Sequence, residues 1–197
     1  MFTVTPCAAG CGRAALSGSQ LCAIHTVDPP LEASRIARWI QERETVKDLN
    51  AAGLHFERLD FSGRRFYGCN FRDATFWHCS FREVLSRLLF FDRADFLECA
   101  FADGDMRYSS FAGSRMRNTA FKTMEMLDSN YGGAMILNCC FAHSNLYNSR
   151  FIDTDIQRTE FTDCNITRVN FTGSRREDVS FDKSNTGEAV FAFRDGE

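Results

Sequence analysis

The chain has 197 residues, with 23 Lys/Arg against 26 Asp/Glu and 44% hydrophobic residues, which suits one domain plus an appendage. A net charge of −3 lacks the strong basic face of a dedicated nucleic-acid binder. No run of about 18 apolar residues occurs, and Met1 to Gly10 has no basic n-region, so neither a membrane span nor a signal peptide is expected.

Nine Cys in a chain of this kind read as reduced thiols or metal ligands rather than a disulfide framework, which points to the cytoplasm. Four candidate ligands come first. Cys7, Cys11, Cys22 and His25 have the spacing C-x3-C-x10-C-x2-H. Two short pairs let two turns present two ligands each to a tetrahedral ion, and a full set of four favours a closed structural zinc site. Gly10, Gly12 and Gly18 supply tight turns. The plainer alternative is free thiols in a loose tail. Residues 1–28 are therefore read as a Cys3His zinc-binding module, with metal supplying its folding energy.

Residues 29–53 read as a linker and a capping helix. Pro30 suits a first helical turn, and Leu31 to Ala52 holds good helix formers up to Gly53. Ile36, Trp39, Ile40, Val46 and Leu49 form an incomplete apolar stripe. The helix is expected to cover the open first coil of a repeat region that begins at Leu54. The alternative is a partner-binding helix anchored by Trp39.

From Leu54 to Phe193 a five-residue period takes over, with 28 unbroken units from Phe56 to Phe191 as central residues. Their centres are Phe 17 times, Met three times, Ile/Leu four times and Tyr once, with only Ser86, Arg176 and Thr186 breaking the rule. A helix would rotate the apolar side by about 140° per unit, and a straight strand would flip it at each odd step. The backbone must therefore turn once per unit, as in a solenoid. Two residues before each centre the side chain is small in 23 of 28 units, the exceptions being Leu54, Leu59, Arg64, Leu89 and Met124. Large beside small fills a narrow interior without overpacking.

Units such as Ala94-Asp95-Phe96, Ser129-Asn130-Tyr131, Thr154-Asp155-Ile156 and Cys164-Asn165-Ile166 give the stretch its identity. It resembles the pentapeptide-repeat family, with its A-[DN]-[LF]-x-x units. The resemblance implies a mainly β protein, a right-handed quadrilateral β-helix with four units per coil and about seven coils. Stacked backbones about 4.8 Å apart would make a rod roughly 30–35 Å long. Residues 20 apart should then share a face. Phe61, Phe81, Phe101, Phe121, Phe141, Phe161 and Phe181 form one column, and Phe71 to Phe191 form an all-aromatic column opposite. Residues 194–197 are a short tail.

Cys69, Cys79, Cys99, Cys139 and Cys164 fall in the small inward slot and read as small hydrophobes. Cys140 lies one place over, at a partly exposed position. No nucleophile–base constellation or Gly-rich phosphate loop appears, and Gly132-Gly133 reads as a turn, so an enzyme is not expected. The outward residue after each centre gives Trp77, Leu97, Arg117 and Leu137 on one face, and Tyr67, Arg87, Arg107, Leu127 and Tyr147 on the opposite one. Aromatic and Arg rows suit a protein interface. The plainer reading is scattered surface apolar residues.

The leading expectation is a non-enzymatic protein–protein interaction or scaffold protein. The alternative comes from the resemblance: some family members mimic DNA and modulate a type II topoisomerase such as gyrase. That needs a strongly acidic surface. Leu54 to Glu197 carries 18 Lys/Arg against 21 Asp/Glu, and Glu83, Asp103 and Asp163 lie beside Arg82, Lys122 and Lys183. Nucleic-acid binding through the Cys/His module is not expected either, since Arg13 is the only Lys or Arg among the first 34 residues. A homodimer through the C-terminal coil, around Val190-Phe191-Ala192-Phe193, is a further expectation.

Overall fold

The computed structural model describes residues 5–191. Phe2, Ala192, Phe193 and the tail 194–197 lie outside the described residues.

The chain opens with a turn-rich module, in which Pro6 and Ala14 form an antiparallel bridge. The helix Pro29–Gln41 follows. Asp28 caps it, accepting the Leu31 N–H at 2.9 Å, and Pro29 and Pro30 occupy the first turn, where no intrahelical donor is needed. The helix buries Ala33, Ile36, Ala37 and Ile40. It packs beside the strand His55–Glu57, over the end of the solenoid.

The helix is shorter than the expected Leu31 to Ala52. It stops at Gln41, and Thr45–Lys47 is already a solenoid strand, paired in parallel with Arg65–Tyr67. The cause lies in the five-residue phase. Val46 and Ala51 sit ten and five residues before Phe56, and both are fully buried as coil centres. Stacking on Phe66 and Phe71 outweighs a weak helix propensity. Gly53 is accordingly a left-handed corner (φ 74°) and not a helix terminator.

The solenoid climbs 20 residues per turn, with parallel registers such as Phe56↔Phe76, Phe76↔Phe96, Phe96↔Met116, Met116↔Ile136 and Ile136↔Ile156. Seven strands stack on this face, from His55–Glu57 to Arg175–Ser180. The four faces are named here by Phe56, Phe61, Phe66 and Phe71. Within a column the rings lie nearly parallel: Phe81 to Phe101 at 4.5 Å, Phe101 to Phe121 at 4.6 Å and Tyr131 to Phe151 at 4.4 Å. Around a coil, neighbours meet edge to face, as Phe76 does Phe81 at 5.3 Å and 74°. Both arrangements suit the ring quadrupole.

The inward slot is selected for more than size. Cys99 Sγ donates to the Phe76 carbonyl (3.3 Å), Ser144 Oγ to Phe121 (2.8 Å) and Ser149 Oγ to Met126 (2.8 Å), each 23 residues back. A small donor there satisfies a carbonyl of the coil below. Burial pushes the Cys69 and Cys164 thiols up to about 11 and Cys139 to about 12, so they stay protonated and act as hydrophobes.

The exceptions to the pattern compensate one another. Met124 is large where Gly104, one coil below, is bare: a Cβ on Gly104 would lie 3.1 Å from Met124 Cε and 2.7 Å from the Val84 carbonyl oxygen. Arg64 turns its guanidinium to the Gln41 carbonyl at the end of the helix (3.1 Å). In the last coil Arg176 stands in a core column, stacks over Phe191 at 5.3 Å and donates to the Phe171 carbonyl at 3.3 Å.

Every one of the 22 non-glycine residues with positive φ among the described residues lies two places after a centre, at a corner. The left-handed region costs an L-residue roughly 1–2 kcal/mol, and Thr is β-branched. Thr123 (φ 55°) is exposed at such a corner. Thr123→Gly is expected to stabilise the protein by about 0.5 kcal/mol, after the entropy cost of Gly is subtracted. A urea midpoint at or below that of the wild type would contradict this.

Tyr131 offers a contrasting test. It is fully buried in an otherwise Phe column, and its hydroxyl meets the Met126 sulfur at 3.1 Å. Burial pushes the phenol far above its ordinary range. A thioether is a weak acceptor, so Tyr131→Phe is expected to change stability by less than about 1 kcal/mol, in either direction. A larger loss on chemical unfolding would mean that the hydroxyl orders the column.

Candidate metal centre and interaction faces

Cys7, Cys11, Cys22 and His25 come together, with their donor atoms all within 4.8 Å of one another. Cys11 Sγ lies 3.7 Å from Cys22 Sγ, and His25 Nδ1 lies 3.6 Å from Cys7 Sγ and 3.5 Å from Cys22 Sγ. A tetrahedral ion about 2.3 Å from sulfur and about 2.0–2.1 Å from nitrogen would separate S–S pairs by about 3.8 Å and S–N pairs by about 3.5 Å. The geometry fits. Three thiolates and an imidazole are also the donor set of a closed site, so the cluster can bind a metal. Backbone donors favour thiolates here: the Cys22 N–H (3.4 Å from Cys7 Sγ) holds the Cys7 thiol down to about 6. The Arg13 N–H lowers Cys11, while burial raises Cys22.

The module docks on the solenoid and not into solvent. Leu16 is buried in the common core. Ser17 N–H donates to the Asn50 carbonyl (2.9 Å), Asn50 N–H donates to Ser17 Oγ (2.8 Å), and Asn50 Nδ2 donates to the Ala15 carbonyl (2.6 Å). Arg35 on the helix reaches the Ser17 carbonyl, and a Cβ on Gly18 would meet its Nη1 at 2.9 Å. Trp39 is half-buried against the core, with Arg43 4.4 Å over its ring.

The structure stacks Trp77, Leu97, Arg117 and Leu137 in direct register on the Phe56 face. Trp77 is exposed and meets His55 edge-on at 4.6 Å, whereas Leu97 and Leu137 are half-buried. On the Phe66 face Tyr67, Arg87 and Arg107 are in register, Arg87 is bidentate to Asp105 (2.9 and 3.0 Å), and Tyr147 lies under Arg168 at 5.8 Å. Sequence reasoning missed three residues here. Leu85, Leu88 and Tyr108 are 40–51% exposed and share this face with the exposed Tyr67. Large apolar residues at corner positions, as Leu88 and Tyr108 are, were the signal.

Surface polar groups pair across coils: Arg93 with Asp73, Arg72 with Asp92, Arg115 with Asp95, His78 with Glu98 and His143 with Asp163 are each 20 residues apart. No helix among the described residues is long and apolar enough to cross a membrane.

The pentapeptide repeat region family matches residues 114–191, and the SV2A/B/C luminal domain family matches residues 45–121. Together the two matches start at the first strand and end at the last described coil centre. No curated protein matches. Among solved structures, a trypsin-treated variant of QnrB1, a plasmid-mediated fluoroquinolone resistance protein, is 18% identical with a TM-score of 0.50, over 75% of this chain and 77% of its own. HetL, a pentapeptide-repeat protein involved in heterocyst differentiation regulation from Nostoc sp., is 10% identical with a TM-score of 0.33, over 83% of this chain and 97% of its own. A pentapeptide-repeat protein of the Arabidopsis thaliana thylakoid lumen is 28% identical with a TM-score of 0.35, over 44% of this chain and 66% of its own. The 20-residue register, the stacked aromatic centres and the family match agree: residues 114–191 are a pentapeptide repeat region, part of a β-solenoid of about seven turns preceded by a Cys3His cluster.

Proposed function

We propose that the protein is a non-enzymatic interaction scaffold in a reducing, cytoplasmic compartment, with structural zinc on Cys7, Cys11, Cys22 and His25. Residues 1–28 form the zinc module, which caps the solenoid. The carrying observation is that Tyr67, Leu85, Leu88 and Tyr108 are exposed on the same face as Arg87 and Arg107. Tyr and Arg dominate binding hot spots, and a rigid face orders nothing further on binding. Affinity capture with the wild type and with Tyr108→Ala plus Leu88→Ala tests it. A partner held by the wild type and lost by the double variant supports the reading, and identical capture by both removes this face from it. The Trp77, Leu97, Arg117 and Leu137 column is a second contact row in the same reading. A homodimer through the C-terminal coil, where Val190 is exposed, is also proposed; sedimentation as a monomer at high micromolar concentration would dispose of it.

The solenoid likeness to QnrB1 favours a second reading, modulation of a type II topoisomerase. Against a DNA-like surface, Asp73, Asp92, Asp95 and Asp105 are each paired with Arg. Unchanged gyrase supercoiling at micromolar protein would exclude this reading.

A further inference from the structure

Between the Cys/His module and the Phe71 face lies a cleft of about 610 Å³. Its lining includes Arg13, Ala23, Ile24, Arg72, Asp73 and Arg93. The module wall sets the aliphatic Ala23 and Ile24 beside Arg13, and Ile24, in the loop between Cys22 and His25, is 65% exposed. The solenoid wall is cationic. Arg72 lies 4.4 Å over the Phe90 ring and meets Asp92 through Nε at 2.9 Å; Arg93 forks onto Asp73 at 2.7 and 2.9 Å. Three guanidiniums thus face one lining carboxylate, in a chain whose net charge is −3. The two walls are held close: Gly53 stands at a left-handed corner, and a Cβ there would lie 3.2 Å from Ala23 Cβ.

We propose that this cleft docks an acidic segment of a partner protein, with a carboxylate on the Arg72–Arg93 wall and a neighbouring apolar side chain against Ala23 and Ile24. The volume falls within the roughly 300–1,000 Å³ of small-ligand sites. Guanidiniums recognise carboxylates by paired N–H donors, and Arg72 offers donors beyond the Nε that Asp92 uses. Nucleic acid fits less well. Three cations span too little backbone for strong phosphate binding, and the facing wall has no aromatic platform for a base. The proposal rests on the scaffold reading and deepens it by naming a second surface and the chemistry of its partner.

The test is fluorescence anisotropy on the full zinc-loaded chain, with a fluorescein-labelled alternating Glu-Leu hexapeptide and its Lys-Leu counterpart. Saturable binding of the acidic probe alone is expected, weakening as salt rises. Arg93→Gln should weaken it about 10-fold, and Ile24→Ser about 5-fold. Asp73→Asn removes the competing carboxylate and should tighten binding about 3-fold, a gain that mere structural damage would not produce. Zinc content measured on each variant separates a lost contact from a collapsed module. Equal binding of both probes, no saturable binding, or indifference to both Arg93→Gln and Asp73→Asn would overturn the proposal. So would displacement of the probe by equimolar inorganic phosphate or a single-stranded oligonucleotide, which would make the cleft a general anion site. The probe does not involve Tyr108 or Leu88, so its failure leaves the Phe66-face reading to stand or fall on the capture experiment.

Discussion

Cys22→Ser is expected to take bound zinc from about one ion per chain to none. Cys22 is buried, its sulfur lies near those of Cys11 and Cys7, and its N–H rests on Cys7 Sγ, so a hydroxyl there removes a ligand from the middle of the set. The module's own apolar core is small. Among the described residues before Asp28, the buried hydrophobic ones are Cys7, Ala15, Leu16 and Cys22. Two of those four belong to the Cys3His cluster. Zinc in small Cys/His modules supplies about 10–16 kcal/mol of apparent binding energy at neutral pH, and zinc held by this cluster would act as folding energy. The loss should remain local, because each coil of a solenoid is stabilised mainly by its neighbours. The Ser17 and Asn50 amides, bonded to each other's residues, should lose hydrogen-exchange protection, while amides such as Phe121 N–H (2.6 Å to the Cys140 carbonyl) keep theirs. Unchanged zinc content by elemental analysis would defeat the four-ligand site. Unchanged protection at Asn50 would show that the module docks without its metal.

Phe121→Ala is expected to cost about 3–5 kcal/mol. Phe121 is fully buried, stacked between Phe101 at 4.6 Å and Phe141 at 4.8 Å, and edge-on to Phe111. The cavity would be walled by rings held at their own spacing by backbone ladders, so it has little freedom to collapse. Phe191, half-buried at the last described coil with Phe171 and Phe181 as its ring neighbours among the described residues, gives the comparison. Phe191→Ala should cost less than half as much. Urea unfolding of both variants decides the matter, and equal losses would mean that the rod does not derive its stability coil by coil.

The repeat architecture was legible because one constraint acts at every fifth residue: a Phe at the centre leaves no other period possible. The clustering of Cys7, Cys11, Cys22 and His25 was legible for a similar reason, since four donors in two short pairs admit few arrangements. The end of the helix was not. Leu49, Ala51 and Ala52 are good helix formers, and what decides against a helix is stacking on residues 20 positions later, Phe66 and Phe71, which no local window contains. The corner conformation was also hidden. Leu88, Tyr108 and Thr123 are poor left-handed residues, and they stand where the ladder of neighbouring coils dictates φ regardless of propensity. Nor does the choice of Cys and Ser in the inward slot announce itself as hydrogen bonding until the carbonyl 23 residues back is seen beside it.

The 20-residue register has a consequence for how such a chain can change in length. Removing a whole coil, residues 101–120 for instance, would bring Ala100 before Phe121 and leave every outward residue on its own face, with the rod one step shorter. Removing a single unit of five would keep every side chain inward or outward as before, yet turn the rest of the rod by a quarter. Tyr108 would then leave the face of Tyr67, and every Phe column would continue as a different one. Length in this protein is thus counted in two currencies, twenties for the surface and fives for the core, and only the larger one preserves what a partner would touch.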